Sequence, residues 1–304
     1  MEKAKETAET IVPNVSRNFI LIFKVTDYLK KIDDALDYFF GNVLLPGDTL
    51  KVVTPVKTYN LNKVALDRAP KQEIKNRLKR ILRKDIILAG SEYRSFYERI
   101  ETIANDEGIE GDLKHSMCLE LLRKMKESSC VDEARLLEIS DRLKQFEGQK
   151  IIFLFYQKEA LPIPPFLRDQ EAEIELRSVK LIDVEPIKRA FSDASITIHF
   201  IFLTNKPSNE DNIKNLSISE MYMQDNSNSI FKAFTLLAKT TGGLTESSAN
   251  AASAFKKAAD ASENYYLLCY HPSDYKKDGT FKEIKVKIKN RNYTITHRAG
   301  YIAN

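Results

Sequence analysis

The sequence predicts an α/β protein built on a mostly parallel central sheet, with a helical insertion at about 63–147 and an antiparallel hairpin near its C-terminus. Three observations carry this. Asn18–Val25, Lys150–Tyr156 and Ile196–Leu203 are near-continuous apolar runs of strand length, the pattern of strands buried on both faces. Strand, helix and strand follow one another between Asn18 and Thr54, which is the βαβ unit of a parallel sheet. From Phe281 to Lys289 the chain alternates, with Ile284, Val286 and Ile288 on one face and Lys285, Lys287 and Lys289 on the other.

Along the chain, a polar leader of 1–17 precedes the first strand, and 18–304 reads as a single domain. Ile32, Ala35, Leu36, Phe39 and Phe40 recur at helical steps. The turn Leu45-Pro46-Gly47-Asp48 leads into a second strand, Thr49–Thr54, which Pro55 ends; Lys57–Leu61 suits a short edge strand. From Pro70 to Phe146 the pattern is helical, with breaks expected at Ala89-Gly90-Ser91, at 108–111 and at Ser128-Ser129, giving four helices. Leu113, Met117, Leu121 and Met125 line one expected packing face, and Leu136, Ile139, Leu143 and Phe146 another, with Ser129 and Asp132 as a candidate capping box. The prolines of Leu161–Pro165 exclude helix and central strand. Helices are expected at about Asp183–Ser192, Ile230–Lys239 and Ala249–Ala261, with a long polar excursion over Thr204–Asn228. Tyr265–Tyr270 reads as a strand, and Tyr293–His297 as the hairpin partner of 281–289 across the turn Asn290-Arg291-Asn292.

Composition narrows the function classes. The 47 basic and 43 acidic residues leave a net charge of +4, too little over 304 residues to announce a nucleic-acid binder. No run approaches the ~18 apolar residues of a membrane-spanning helix. The N-terminus is acidic and polar where a secretory signal would be basic and then apolar, so the chain as given reads as cytoplasmic, or as extracytoplasmic if a signal has been trimmed. Cys118, Cys130 and Cys269 fit neither a disulfide framework nor a zinc site. His115, His199, His271 and His297 stand far apart with no HExxH pair. No glycine lies in a phosphate-cradling, dinucleotide-binding or nucleophile-elbow spacing. No cofactor is implied.

One charge cluster stands out. Lys63–Lys84 holds nine Lys or Arg against Asp67 and Glu73, with Ile74, Leu78, Ile81 and Leu82 on the opposite helical face. Such a helix could lie on an anionic membrane or track phosphates, or be a solvated face over packed apolar residues; the lack of interleaved aromatics counts against single-strand stacking.

The segment YYLLCYHPSDYKKDGTFKEIKVKIKNRNYTITHRAGY, with Arg298, Gly300 and Tyr301 as its closing signature, resembles the end of the acidobacterial class of von Willebrand factor A-related domains. Leu237–Gly243, Leu45–Asp48 and Gly148-Gln149-Lys150 resemble further segments of that family. The resemblance implies a doubly wound, Rossmann-like sheet with helices on both faces, and a metal-ion-dependent adhesion site at the C-terminal strand ends. The family's DxSxS then falls on Lys24-Val25-Thr26-Asp27-Tyr28, so a lysine stands for the leading aspartate and Tyr28 for the second serine. The second acidic position falls on Tyr156-Gln157-Lys158, with Gly90-Ser91 as a candidate for the remaining loop. A divalent cation wants hard anionic oxygens, so the resemblance implies a degenerate site.

The expected function is therefore a non-catalytic protein-binding or scaffolding module with an unnamed protein partner. Its weak candidate surface is Lys24, Thr26, Asp27, Tyr28, Ser91, Tyr156, Gln157 and Lys158, whose amines and phenols could receive a partner carboxylate. The alternative is a peripheral binder of anionic lipid or nucleic acid through 63–84. An enzyme whose site no motif reveals is the third class; a deep cleft with shifted acidic groups would speak for it.

Overall fold

The computed structural model describes residues 16–61, 63–168, 170–178, 182–204, 221–225, 227–248, 250–263, 276–287 and 297–303. Among these residues the central sheet has six strands, in the order β3 (Thr58–Leu61), β2 (Thr49–Val53), β1 (Arg17–Lys24), β4 (Gln149–Gln157), β6 (Ile196–Leu203) and β8 (Thr245–Ser248). Every neighbouring pair is parallel except β2–β3, so the antiparallel strand is an edge.

The apolar strands are continuous because each is buried twice. Phe19, Leu21 and Phe23 of β1 face one core, where they meet α1 (Lys31–Tyr38), the N-terminal half of α3 (Lys71–Asn105) and α9 (Ala251–Glu263). Ile20 and Ile22 face the other, under α5 (Glu133–Lys144), α7 (Val184–Asp193) and α8 (Asn228–Thr241). The first core is built on aromatic contacts of Phe19, Phe39, Phe153 and Phe255, with Phe153 and Phe255 centroids 4.7 Å apart.

The turn that enters β2 is held by its aspartate. Asp48 accepts two hydrogen bonds from the Arg17 guanidinium, at 3.1 and 2.7 Å, and one from the Leu45 amide at 2.7 Å. α1 ends in a wider turn over Phe39–Val43, closed by the Leu44 amide on the Phe39 carbonyl. α8 stops at Gly242, whose φ of 79° is the left-handed cap that glycine adopts without strain.

Between β3 and β4 come α2 (Lys63–Arg68), α3, α4 (Gly111–Ser128) and α5. A third core joins the C-terminal half of α3 (Ile100, Ile103) and α4 to β5 (Ala160–Ile163) and α6 (Gln170–Ser178). β5 pairs antiparallel with β7 (Tyr222–Asp225) in a separate ribbon, which tolerates Pro162.

The helical segment differs from expectation in several places. The break expected at Ala89-Gly90-Ser91 is absent, since α3 runs unbroken for 35 residues, about 50 Å. Nor is 63–84 one helix: Pro70 separates α2 from α3. Of the expected α4 face, Leu121 and Met125 are buried but Leu113 and Met117 are exposed, and Cys118, Leu119 and Leu122 complete the buried face instead. The capping residue of α5 is Asp132, whose side chain accepts from the Arg135 amide, while the Ser129 hydroxyl turns back to the Met125 carbonyl at 3.0 Å. Phe146 is exposed beyond the end of α5. At the C-terminus, β9 (Phe281–Glu283) pairs antiparallel with β10 (Gly300–Ile302), and among the described residues this pair is not joined to the central sheet. The expected strands 265–270 and 293–297 lie wholly or almost wholly outside the described residues, as do the turn at 290–292, His271 and Cys269.

Candidate functional site

β1 connects toward β2 on one side, and β4 toward β6 on the other. Their C-terminal ends therefore flank the point where the strand order reverses, the place at which open α/β sheets offer a crevice. Lys24 lies opposite Tyr156 in the β1–β4 register, so the sequence-predicted residues of both strands do meet here.

They meet already engaged. The Lys24 ammonium donates to the Ser128 carbonyl. The Tyr156 hydroxyl donates to the neighbouring Ser129 carbonyl at 3.2 Å, and the ring is fully buried. Both side chains thus tie the central strands to the link between α4 and α5. Burial drives the Tyr156 phenol well above its ordinary value, so it serves as a donor. Tyr28 donates to Asp33 with the Arg83 guanidinium over its ring, and Lys158 pairs with Asp225 at 3.2 Å. Each of the two amines and two phenols expected to form an open surface has a partner within the protein, the Lys158–Asp225 pair being partly exposed.

Gln157 organises the centre. Its side-chain oxygen accepts from the amides of Thr26 (3.1 Å) and Asp27 (2.9 Å), and its amide nitrogen donates to Asp27 at 3.3 Å. The second Asp27 oxygen lies 3.5 Å from the Arg94 guanidinium. Asp27 thus turns toward β4. Ser91 does not occupy a strand-end loop; it is an exposed residue of α3 whose hydroxyl donates to the Leu88 carbonyl at 2.6 Å.

Tyr93, Arg94 and Glu159 escaped the sequence reading, and Gly90, read there as a helix break and part of a strand-end loop, joins them as a fourth residue of the site. Gly90, Tyr93 and Arg94 come from the middle of α3, which crosses over the strand ends. At Gly90 a β-carbon would stand 2.0 Å from the Thr26 carbonyl oxygen, so only glycine allows the helix backbone to rest on the end of β1. Tyr93 donates to the Ala160 carbonyl at 2.7 Å, and Arg94 reaches Asp27. Glu159, 3% exposed, lies directly beyond β4. Its backbone N–H donates to the Ser227 hydroxyl at 2.8 Å, but neither carboxyl oxygen has a hydrogen-bond partner among the described residues. Burial pushes this carboxyl above its ordinary value; Ser129 and the Lys24 ammonium nearby offset that in part, while Asp27 adds to it. An acid that follows an apolar strand by two residues was the available signal for it.

No group of three or more His, Cys, Asp or Glu among the described residues is placed to hold a metal ion. The donor set at the switch point is an ammonium, a carboxamide turned inward, a carboxylate shared by Gln157 and Arg94, and the Glu159 carboxyl, which burial pushes toward its neutral form; together they leave little anionic oxygen for a hard cation. His199 accepts from the Leu244 amide at 3.2 Å and stacks on Phe153, and burial brings its pKa down to about 4, which keeps the ring neutral. Cys118 and Cys130 are free thiols.

The basic segment is only partly outward. Lys75 and Lys79 turn to Asp37 of α1, at 2.6 and 2.8 Å, and Lys71 donates to the Leu44 carbonyl. Partial burial works against it, but the two ammonium groups hold the Asp37 carboxyl below its ordinary value. Among the described residues, no helix is long and apolar enough to cross a membrane.

No protein-family model matches the chain, and no curated protein matches it.

Proposed function

We propose that the chain is a non-catalytic protein-binding module of the von Willebrand A type whose strand-end site has been closed without a metal ion. The observation that supports this reading is the seal at the switch point. Gln157 takes both free amides of the β1 end, Asp27 is shared by Gln157 and Arg94, and Gly90 seats α3 on the Thr26 carbonyl. A cation there would need open carboxylates, whereas Lys24 supplies positive charge of its own. The residues do not fit a divalent cation, and recognition moves to the surface outside the crevice.

The alternative, binding of anionic lipid or nucleic acid through 63–84, has less support. Two of its lysines are held by Asp37, and the acids of α1, with Asp34 exposed and Asp37 half-exposed, would face the same polyanion.

Thermal unfolding with Mg²⁺, Mn²⁺ or Ca²⁺, against EDTA, tests the proposal. The expected result is an unchanged midpoint. A bound ion at 100 times its Kd stabilises by about 2.7 kcal/mol, so a rise of several degrees would sink the reading.

A further inference from the structure

α3 closes the switch point with one face and turns the other to solvent, and the composition of that outer face is uneven. Between Glu73 and Glu92 the only acid on the helix is Asp85, which is buried and accepts from Thr54 and Tyr59 at 2.7 and 2.8 Å. The exposed residues Arg77, Arg80 and Lys84 fall on one stripe at helical spacing, and none of them forms an ion pair among the described residues. The stripe continues into Ile87 and Leu88, 47% and 56% exposed. Three cations thus lead, over about 16 Å, to an apolar pair that sits just before Gly90. Nothing in the packing of α3 requires this: its buried stripe of Ile74, Leu78, Leu82 and Ile86 already fills the core.

We infer that this stripe docks an acidic protein segment carrying an apolar anchor, the carboxylates meeting Arg77, Arg80 and Lys84 and the anchor meeting Ile87 and Leu88. The inference rests on the protein-binding reading and gives its partner a chemistry. Charge complementarity selects the acid, and the adjoining apolar pair supplies a desolvated contact that charges alone do not. The stripe's narrow shape selects a discrete segment over a membrane. Lys75 and Lys79, which hold Asp37 of α1, lie on the other side of α3 and add no width to the stripe.

The test uses the full chain and a fluorescent acidic peptide of about 15 residues, with glutamates at helical spacing followed by a leucine pair. Saturable binding that weakens with salt is expected. The exposed double variant R80E/K84E should weaken it about tenfold or more, and R80Q/K84Q by less. I87S/L88S should weaken binding of this peptide but not of one with serines in place of the leucines. Unchanged melting midpoints would show the variants folded. Absence of binding, or equal binding by R80E/K84E, overturns the inference. So does tighter binding to phosphatidylserine-containing vesicles or to an oligonucleotide with the same sensitivity to R80E/K84E, which would assign the stripe to a polyanion. A divalent-ion effect on melting with peptide binding intact would instead sink the metal-free reading alone, so the two failures are distinguishable.

Discussion

Replacing Gly90 by alanine is expected to destabilise the protein by about 2 kcal/mol or more, although the same change in most helices is favourable. Alanine exceeds glycine in helix propensity by about 1 kcal/mol, and nothing about an isolated α3 would oppose it. The opposition comes from β1. The added methyl would stand 2.0 Å from the Thr26 carbonyl oxygen and 3.0 Å from the Arg94 side chain. Arg94 can move, but the carbonyl belongs to the chain leaving a central strand. Either α3 lifts, losing the Tyr93–Ala160 and Arg94–Asp27 contacts, or the end of β1 bends away from Gln157. Gly111→Ala is the matched control. It lies at the start of α4 with nothing within 4 Å of the added carbon, so it should be neutral or slightly stabilising. Urea unfolding of the two variants compares them directly; equal effects would mean that α3 does not rest on the strand end.

Glu159→Gln should have the opposite sign. A buried carboxyl whose oxygens lack a close hydrogen-bond partner, and whose burial Ser129 and Lys24 offset only in part, carries a net desolvation cost on the order of 1–3 kcal/mol. Burial raises its folded pKa above the ordinary 4.5, so the folded state holds its proton to higher pH than the unfolded state does. By linkage, the wild type loses stability as pH rises from about 4.5 through the raised folded value, whereas the neutral carboxamide of the variant would give no such slope. The difference between variant and wild type should therefore be small near pH 4 and grow toward neutral pH in favour of the variant. Unfolding free energies at a series of pH values check this. A variant less stable at neutral pH would mean that Lys24 and Ser129 satisfy the ionised carboxylate after all.

The legible parts of this fold were those that burial writes into single residues. β1, β4 and β6 were readable because strands covered on both faces tolerate no polar alternation, as in the run Phe19–Phe23. The helices expected at 183–192 and 230–239 lie close to α7 and α8, because Asp183 caps the one and Gly242 ends the other for local reasons. α3 was misread because Gly90 looks like a breaker when its neighbour in space, 64 positions away at Thr26, is unknown. The site was half legible. The meeting of Lys24 with Tyr156 follows from strand order, but their partners do not. Ser128, Ser129 and Asp225 lie in other segments, and no local pattern announces that a lysine will spend its charge on a carbonyl or on a ribbon strand. Lys75 and Lys79 teach the same lesson: they counted toward a basic face in the sequence, yet the helix turns them to Asp37.

The central claim is that α3 and Gln157 seal the strand-end crevice, and hydrogen exchange at the Thr26 and Asp27 amides measures it most directly. Both lie beyond the end of β1, yet both donate to the buried Gln157 side chain. The account predicts protection close to that of the β1 core amides, unchanged by millimolar Mg²⁺. Exchange as fast as in an open loop, or protection that appears only when the ion is added, would contradict it.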